Sequence, residues 1–172
     1  MPIQAEGVIR KLADPFDYGS AHMNPDRAVD PGLVYDIDPM EYTKFFNCTL
    51  GPKDDCSSYM GKLYQLNLTS IAPNLRNSVT VWRTVTNVGP LRATYQGAVE
   101  APAGVNMAVN PSVINFKKGS TSATFKVTFT ARHRIQGCYT FGSLTWFDGR
   151  NHSARIPIAV RTVIQDFVAD IA

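Results

Sequence analysis

Few residues in this chain have types suited to chemistry. Three histidines (His22, His133, His152), three cysteines (Cys48, Cys56, Cys138) and the glycine–serine pairs Gly19-Ser20 and Gly142-Ser143 are the candidates for acid–base, metal or nucleophilic roles. Serine hydrolysis requires a histidine base, a carboxylate that orients it and an oxyanion donor. Neither Gly-Ser pair stands in a G-x-S-x-G run or at a strand-to-helix turn, so no nucleophile elbow is readable. His133 lies between Arg132 and Arg134, and His152 follows Asp148-Gly149, so both read as residues of turns. Spacings among the histidines and cysteines match no zinc pattern. The expectation is that catalytic, cofactor-binding and metal sites are absent.

Asparagine offers a second chemistry. Asn47-Cys48-Thr49, Asn67-Leu68-Thr69 and Asn151-His152-Ser153 are N-glycosylation acceptors by pattern, whereas Asn110-Pro111-Ser112 is barred by its proline. Their use requires the secretory pathway. The opening residues, MPIQAEGVIRKLADPF, hold no apolar run of the ~7–15 residues that a secretory signal needs. Taken as written, the chain is expected to be cytoplasmic.

The elements that must position these residues fall into three zones. Residues 1–36 carry four prolines and three glycines without a sustained period, and read as loop and turn. Asp38-Pro39-Met40-Glu41 then opens a short helix: Asp38 as N-cap, Pro39 at the first position and Glu41 as the capping-box acid. Met40, Tyr42, Phe45 and Phe46 give it an apolar face as far as Cys48, and Gly51–Asp55 is a turn-rich loop.

From Leu66 to Val163 the period becomes 2. Ala123, Phe125, Val127, Phe129 and Ala131 share one face, and Thr124, Lys126, Thr128 and Thr130 the other. Ala154, Ile156, Ile158 and Val160 alternate in the same way with Arg155, Pro157, Ala159 and Arg161; Pro157 marks an edge or a bulge. Further strands are predicted over Ser78–Val88, Ala93–Glu100, Val105–Val109, Val113–Lys117 and Tyr139–Phe147, each bounded by turn residues. Seven short strands without a helical interruption predict a mainly β fold: an antiparallel β-sandwich of immunoglobulin or fibronectin-III type, preceded by a loop-rich segment and one short helix. Trp82 and Trp146, both in strands, are expected in the core.

Composition agrees with one domain plus an appendage. The chain has 172 residues with 44% hydrophobic and 18% charged content, globular values for a domain of ~100–150 residues. No apolar run approaches the ~18 residues of a membrane span, so no membrane partner is expected. The net charge of +3 divides unevenly: residues 1–73 hold 6 Lys/Arg against 10 Asp/Glu, residues 74–172 hold 11 against 4. The basic charges are scattered along strands rather than clustered, which fits solvated faces and no nucleic-acid partner.

Particular runs carry a resemblance. ADPFDYGSAHMNPDRAVDPGLVYD (Ala13–Asp36), RTVTNVG (Arg83–Gly89), APAGVNMAVNPSVINF (Ala101–Phe116) and SLTWFDGRNHSARIPIAV (Ser143–Val160) are similar to the C-terminal portion of plant subtilisin-like serine proteases, the subtilases. The resemblance covers nearly the whole chain. It implies that residues 1–36 match the end of a protease domain, 37–65 a short helix and connecting loop, 66–165 a fibronectin type III-like sandwich and 166–172 a tail. The family's catalytic motifs, around DTG, HGT and GTSMA, do not occur in this sequence. His22 occupies the place of a structural loop histidine, and Ser20 departs from the family's Gly-Ala-Gly run there. The resemblance also implies a disulfide between Cys48 and Cys56, leaves Cys138 as a buried thiol, and points to an extracellular family.

Three functions compete. The leading one is a non-catalytic module that binds or supports a subtilase catalytic domain, or associates with itself. The second is part of a longer, secreted subtilase with serine-type endopeptidase activity. The third is a stand-alone sandwich that binds a cell-wall polysaccharide through exposed tryptophan. On the first reading, Phe16, Met23, Leu33, Val34 and Tyr35 are expected to be exposed, in a segment that is mobile and easily clipped unless it folds back on the sandwich.

Overall fold

The computed structural model describes residues 4–5, 11–19, 24–49, 51, 62–132 and 139–163. The tail read at 166–172 and most of the 51–55 loop lie outside them. Strands β1 (Gln4–Ala5) and β2 (Lys11–Leu12) pair antiparallel. Helix α1 (Pro15–Tyr18) starts on Asp14, whose carboxylate accepts from Phe16 N–H at 2.8 Å, and α2 (Pro25–Val29) starts on Asn24, whose side-chain oxygen accepts from Arg27 N–H at 3.2 Å. These single turns correct the reading of 1–36 as plain loop. Asp-Pro and Asn-Pro pairs each supply a cap and a pre-set φ, but the turns they start are too short to show a period. Helix α3 (Pro39–Thr49) forms where expected, with Asp38 Oδ1 accepting from Met40 N–H at 2.9 Å.

After a 3-10 turn at Leu63–Gln65 come β4 (Asn74–Leu75), β5 (Ser78–Asn87), β6 (Ala93–Glu100), β7 (Val105–Asn110), β8 (Val113–Phe116), β9 (Ser122–Ala131), β10 (Thr140–Phe147) and β11 (Ser153–Thr162). One sheet has the order β4-β11-β10-β6-β8. The other has β3-β5-β9-β7, where β3 (Leu33–Val34) comes from the N-terminal segment. The fold is the expected mainly β sandwich. Val81, Val85, Phe125, Val127 and Phe129 of the second sheet and Tyr95, Leu144, Trp146, Ile156, Ile158 and Val160 of the first are fully buried in one core. Each such side chain contributes ~1.5–3 kcal/mol of burial. Phe125 meets Trp146 edge-on at 5.0 Å between ring centres.

The two tryptophans part company. Trp146 is buried as expected; Trp82 is 52% exposed, which corrects its assignment to the core. In β5 the inward residues are Val81, Arg83, Val85 and Asn87, so Trp82 falls on the outer face of the pleat. The edge expected from Pro157 is corrected: β11 lies between β10 and β4, and next to Pro157 the second side is covered only by the bridge residue Ile71, whose N–H donates to Pro157 O at 3.1 Å.

The N-terminal segment is docked rather than loose. Leu33 and Val34 pair with Asn87 and Thr86 of β5, Leu33 is 4% exposed, and Tyr35 packs against the core. This corrects the expectation of exposure for Leu33, Val34 and Tyr35; β5 has an open edge, and these residues fill it. Phe16 remains 60% exposed, yet it meets Tyr139 and Phe141 edge-on at 5.0 and 5.4 Å. Met23 lies outside the described residues.

The close approach turns on Gly32. Its φ is +73°, and a Cβ there would sit 2.6 Å from Tyr95 Oη and 2.7 Å from the His152 side chain. Gly104, with φ +76°, has nothing within 4 Å of its Cβ position. Gly32→Ala should therefore destabilise the fold by roughly 2–4 kcal/mol, combining left-handed strain with overpacking, and Gly104→Ala by only about 1 kcal/mol. Chemical denaturation of both variants checks this; equal losses would remove the packing argument.

Candidate functional site

The exposed edge of β5 is where the pre-sandwich segment, its aromatic residues and one buried cation converge. Thr80, Trp82 and Thr84 turn backbone groups outward from β5, and three side chains meet them. Gln65 donates from Nε2 to Thr80 O at 2.9 Å and accepts from Trp82 N–H at 3.3 Å. Asn67 accepts from Thr84 N–H at 2.9 Å, and its Nδ2 donates to Thr84 O at 2.8 Å and to Asp36 O at 2.7 Å. Arg83 donates from Nη1 to Trp82 O at 2.8 Å, from Nε to Leu68 O at 3.0 Å and from Nη2 to Ser70 O at 2.9 Å. The two amides thus act as a strand would, pairing with both donors and acceptors of the edge.

Arg83 is only 1% exposed and points into the protein from an inward position. Burial lowers its pKa to about 10, against the opposing pull of Tyr35 and Tyr42, so the guanidinium stays charged at neutral pH. Burial raises the Tyr35 phenol above its ordinary value, with Arg83 pulling the other way. The Tyr35 and Tyr42 hydroxyls are buried without a protein hydrogen-bond partner. Sequence reasoning passed over Arg83, because an arginine in a strand reads as an outward residue; its inward register, in phase with Val81 and Val85, was the available signal.

A second cluster ties the N-terminal segment to the β10–β11 hairpin. His152 Nδ1 lies 2.6 Å from Asp148 Oδ2, and its Nε2 makes a 3.0 Å ion-pair contact with Asp30 Oδ2. The adjacent Arg27 donates from Nη1 to Ser153 Oγ at 3.3 Å. Contacts with Asp30 and then Asp148 hold the imidazole pKa above its ordinary value against burial. Burial pushes the Asp148 carboxyl up, but hydrogen bonds from the His152 side chain and from the Arg150 and His152 backbone outweigh it and leave it low. The Tyr95 phenol beside them is raised by burial, then by Asp148 and Asp30. The cluster ties Arg27 and Asp30 to the β10–β11 hairpin and works as a structural clamp.

The other sequence candidates disperse. Ser143 is 1% exposed and donates to Glu100 Oε2 at 2.6 Å across a strand pair, so it is a buried sheet residue. A Cβ at Gly142 would lie 2.3 Å from Glu100 O, which explains that glycine by backbone approach. Asn47 on α3 and Asn151 in the hairpin turn are exposed, whereas Asn67 is half-buried in the β5 seam. Cys48 lies in the last turns of α3 and is not a free thiol. Ser20, His22, Cys56, His133 and Cys138 lie outside the described residues, and with them the expected pairing of Cys48 with Cys56.

Leu12, Val29, Ile37, Met40, Phe46 and Leu63 are 51–87% exposed, all of them before the sandwich proper, and α3 buries no residue fully. Beside them a cleft of about 420 Å³ is lined by Asp36, Asp38, Glu41, Gln65, Asn67 and Trp82, among others. Lys126 Nζ sits 5.7 Å from the centre of the Trp82 ring.

The profile of the family described as "Fibronectin type-III domain" matches residues 65–160. The chain is similar to subtilisin-like protease SBT3.16 of Arabidopsis thaliana, 42% identical over 96% of this chain and 23% of that protein. It is likewise similar to subtilisin-like protease SBT3.9 of the same plant, 43% identical over 95% and 23%. Among solved structures, PapD-like domain 7 of human CEP192 aligns over 57% of this chain and 83% of that one at 13% identity and a TM-score of 0.42, too distant a likeness to carry weight. The chain belongs to the fibronectin type-III domain family, and its curated relatives are plant subtilisin-like proteases, of whose length it spans 23%.

The clamp has a defined pH window. A raised imidazole pKa contributes stability fully below the unfolded value of about 6.5 and loses it as pH rises through the folded value. The lowered Asp148 pKa contributes above its unfolded value of about 3.9 and loses it on acidification. Wild type should therefore lose thermal stability as pH rises above about 6.5 and through the raised folded value, and His152→Gln should flatten that slope. An unchanged slope in the variant would remove the clamp from the account.

Proposed function

We propose that this chain is the non-catalytic module of a subtilisin-like protease, and that its pre-sandwich surface docks onto the protease domain. The observation that carries this reading is the apolar face on α3 and its surroundings. Met40 and Phe46 are 71% and 52% exposed, and Ile37 and Leu63 are 54% and 51% exposed, on a chain whose relatives are more than four times longer. Scattered exposed apolar residues are ordinary, and Trp82, Val88 and Leu91 of the sandwich are exposed to a similar degree; what supports an interface is their density between Leu12 and Leu63. The serine-type endopeptidase activity belongs, on this reading, to a longer protein, and the extracellular setting follows from the relationship to subtilases.

The test mixes this chain with a subtilisin-like protease domain from a relative lacking its own fibronectin type-III domain. Gel filtration should give a 1:1 complex, and Met40→Ser/Phe46→Ser should weaken it at least tenfold, since each side chain contributes ~1.5–3 kcal/mol on burial. Self-association in place of a complex, or an indifferent double variant, would overturn the reading.

One observation favours a second reading. Trp82 is a half-exposed aromatic platform beside a cleft with side-chain amides and carboxylates, the kind of surface on which a sugar ring stacks. Asp36, Asp38 and Glu41 at the rim favour a neutral polysaccharide over an anionic one. Retention on cellulose that Trp82→Ala abolishes would support it, and passage of wild type in the void volume would end it.

A further inference from the structure

We infer that the three sequons are not equivalent: Asn151 can carry a glycan in the folded protein, while a glycan on Asn67 is incompatible with the fold because both of its amide protons serve the β5 seam. Glycan transfer forms a bond from the asparagine Nδ2 to the anomeric carbon of a sugar. It breaks that carbon's bond to the diphosphate of a lipid-linked oligosaccharide donor, releases the lipid diphosphate, and sends one amide proton to solvent. Of the two N–H bonds of Nδ2, one therefore becomes N–C.

In the folded chain neither bond of Asn67 has room for that exchange. One N–H points at Thr84 O, 2.8 Å from Nδ2, and the other at Asp36 O, 2.7 Å away. An anomeric carbon sits ~1.4 Å from nitrogen along the same direction, so on either bond it would overlap a backbone oxygen that is in hydrogen-bond contact. The Oδ1 atom is also engaged, by Thr84 N–H at 2.9 Å. Asn67 makes three backbone hydrogen bonds, two to β5 and one to the chain at Asp36, and a glycan there would part the pre-sandwich segment from the sheet. Asn151 differs in each respect. It is exposed, it lies in the turn between β10 and β11, and the neighbouring hydrogen bonds of that turn run from Arg150 N–H and His152 N–H to Asp148. Asn47 is likewise exposed, on α3.

Because glycans are added before folding completes, an Asn67-modified chain should fail to close its β5 edge and should partition into aggregate. The test expresses the full 172-residue chain behind a secretion leader in a glycosylating host, and maps glycopeptides in the monomeric fraction by mass spectrometry. Asn151 should be occupied and Asn67 bare. Thr69→Ala, which destroys the sequon without touching the amide, should leave the intact mass pattern of the monomer unchanged apart from the substitution, whereas Asn151→Gln should remove one glycan. Glycan on Asn67 confined to aggregated material supports the inference; an Asn67 glycopeptide in the folded monomer overturns it, as does an unmodified Asn151. A second measurement needs no glycans. In protein from a non-glycosylating host, Asn67→Asp keeps the acceptor and loses both donors, and should lower the melting temperature by several degrees, while Thr69→Ala should not. Equal melting temperatures for Asn67→Asp and wild type would overturn the structural role assigned to the amide.

Discussion

The open edge of β5 is the constraint around which this molecule is arranged. A sandwich sheet that stopped at β5 would present a row of unpaired donors and acceptors to solvent, a template for further strand pairing. The chain closes that edge in pieces. The Gln65 amide takes Thr80 and Trp82, the Asn67 amide takes Thr84, and the backbone of Leu33–Val34 takes Thr86 and Asn87. Arg83 reaches from inside to hold Leu68 and Ser70 against the strand. A buried guanidinium answered by three neutral carbonyls is costly in isolation. Here it fixes a segment that has too few residues in strand conformation to fix itself.

That arrangement explains why the residues before the sandwich behave as part of it. Leu33 enters the core, Tyr35 lies against it, and the Asp30–His152–Asp148 clamp ties the same stretch to the hairpin of the opposite sheet. Residues 27–36 therefore link the two sheets at one end, and Gly32 is the point where the backbone comes too close to Tyr95 and His152 for any side chain. On either side, Phe16 of α1 meets Tyr139 and Phe141 but stays exposed, and Met40 and Phe46 of α3 stay near the surface. The same segment thus supplies both an anchor and an unsatisfied face, which is the physical basis for treating it as a docking surface.

Much of the candidate site was illegible for a local reason. Period-2 patterning sees a strand's faces but not its edges, so it placed seven of the nine sandwich strands, missed the two-residue β3 and β4, and had no view of how the edge of β5 would be closed. It also treated Arg83 and Trp82 by residue type, which put the arginine outside and the tryptophan inside; the register of Val81 and Val85 puts them the other way round. The short helices after Asp14 and Asn24 escaped because a single capped turn has no periodicity to detect.

By itself the sequence determined the seven longer strands, the cap of α3 and the relationship to subtilisin-like proteases, because each of these is written in local alternation, local capping or a contiguous run of residues. The tertiary structure alone decided that Asn67 is a seam and Asn151 a surface, that His152 bridges Asp30 and Asp148, and that Leu33–Val34 complete a sheet begun more than forty residues later. Those outcomes depend on which distant backbone groups are left unpaired when the two sheets close. No local pattern carries that information, because the partners meet only after the core has formed.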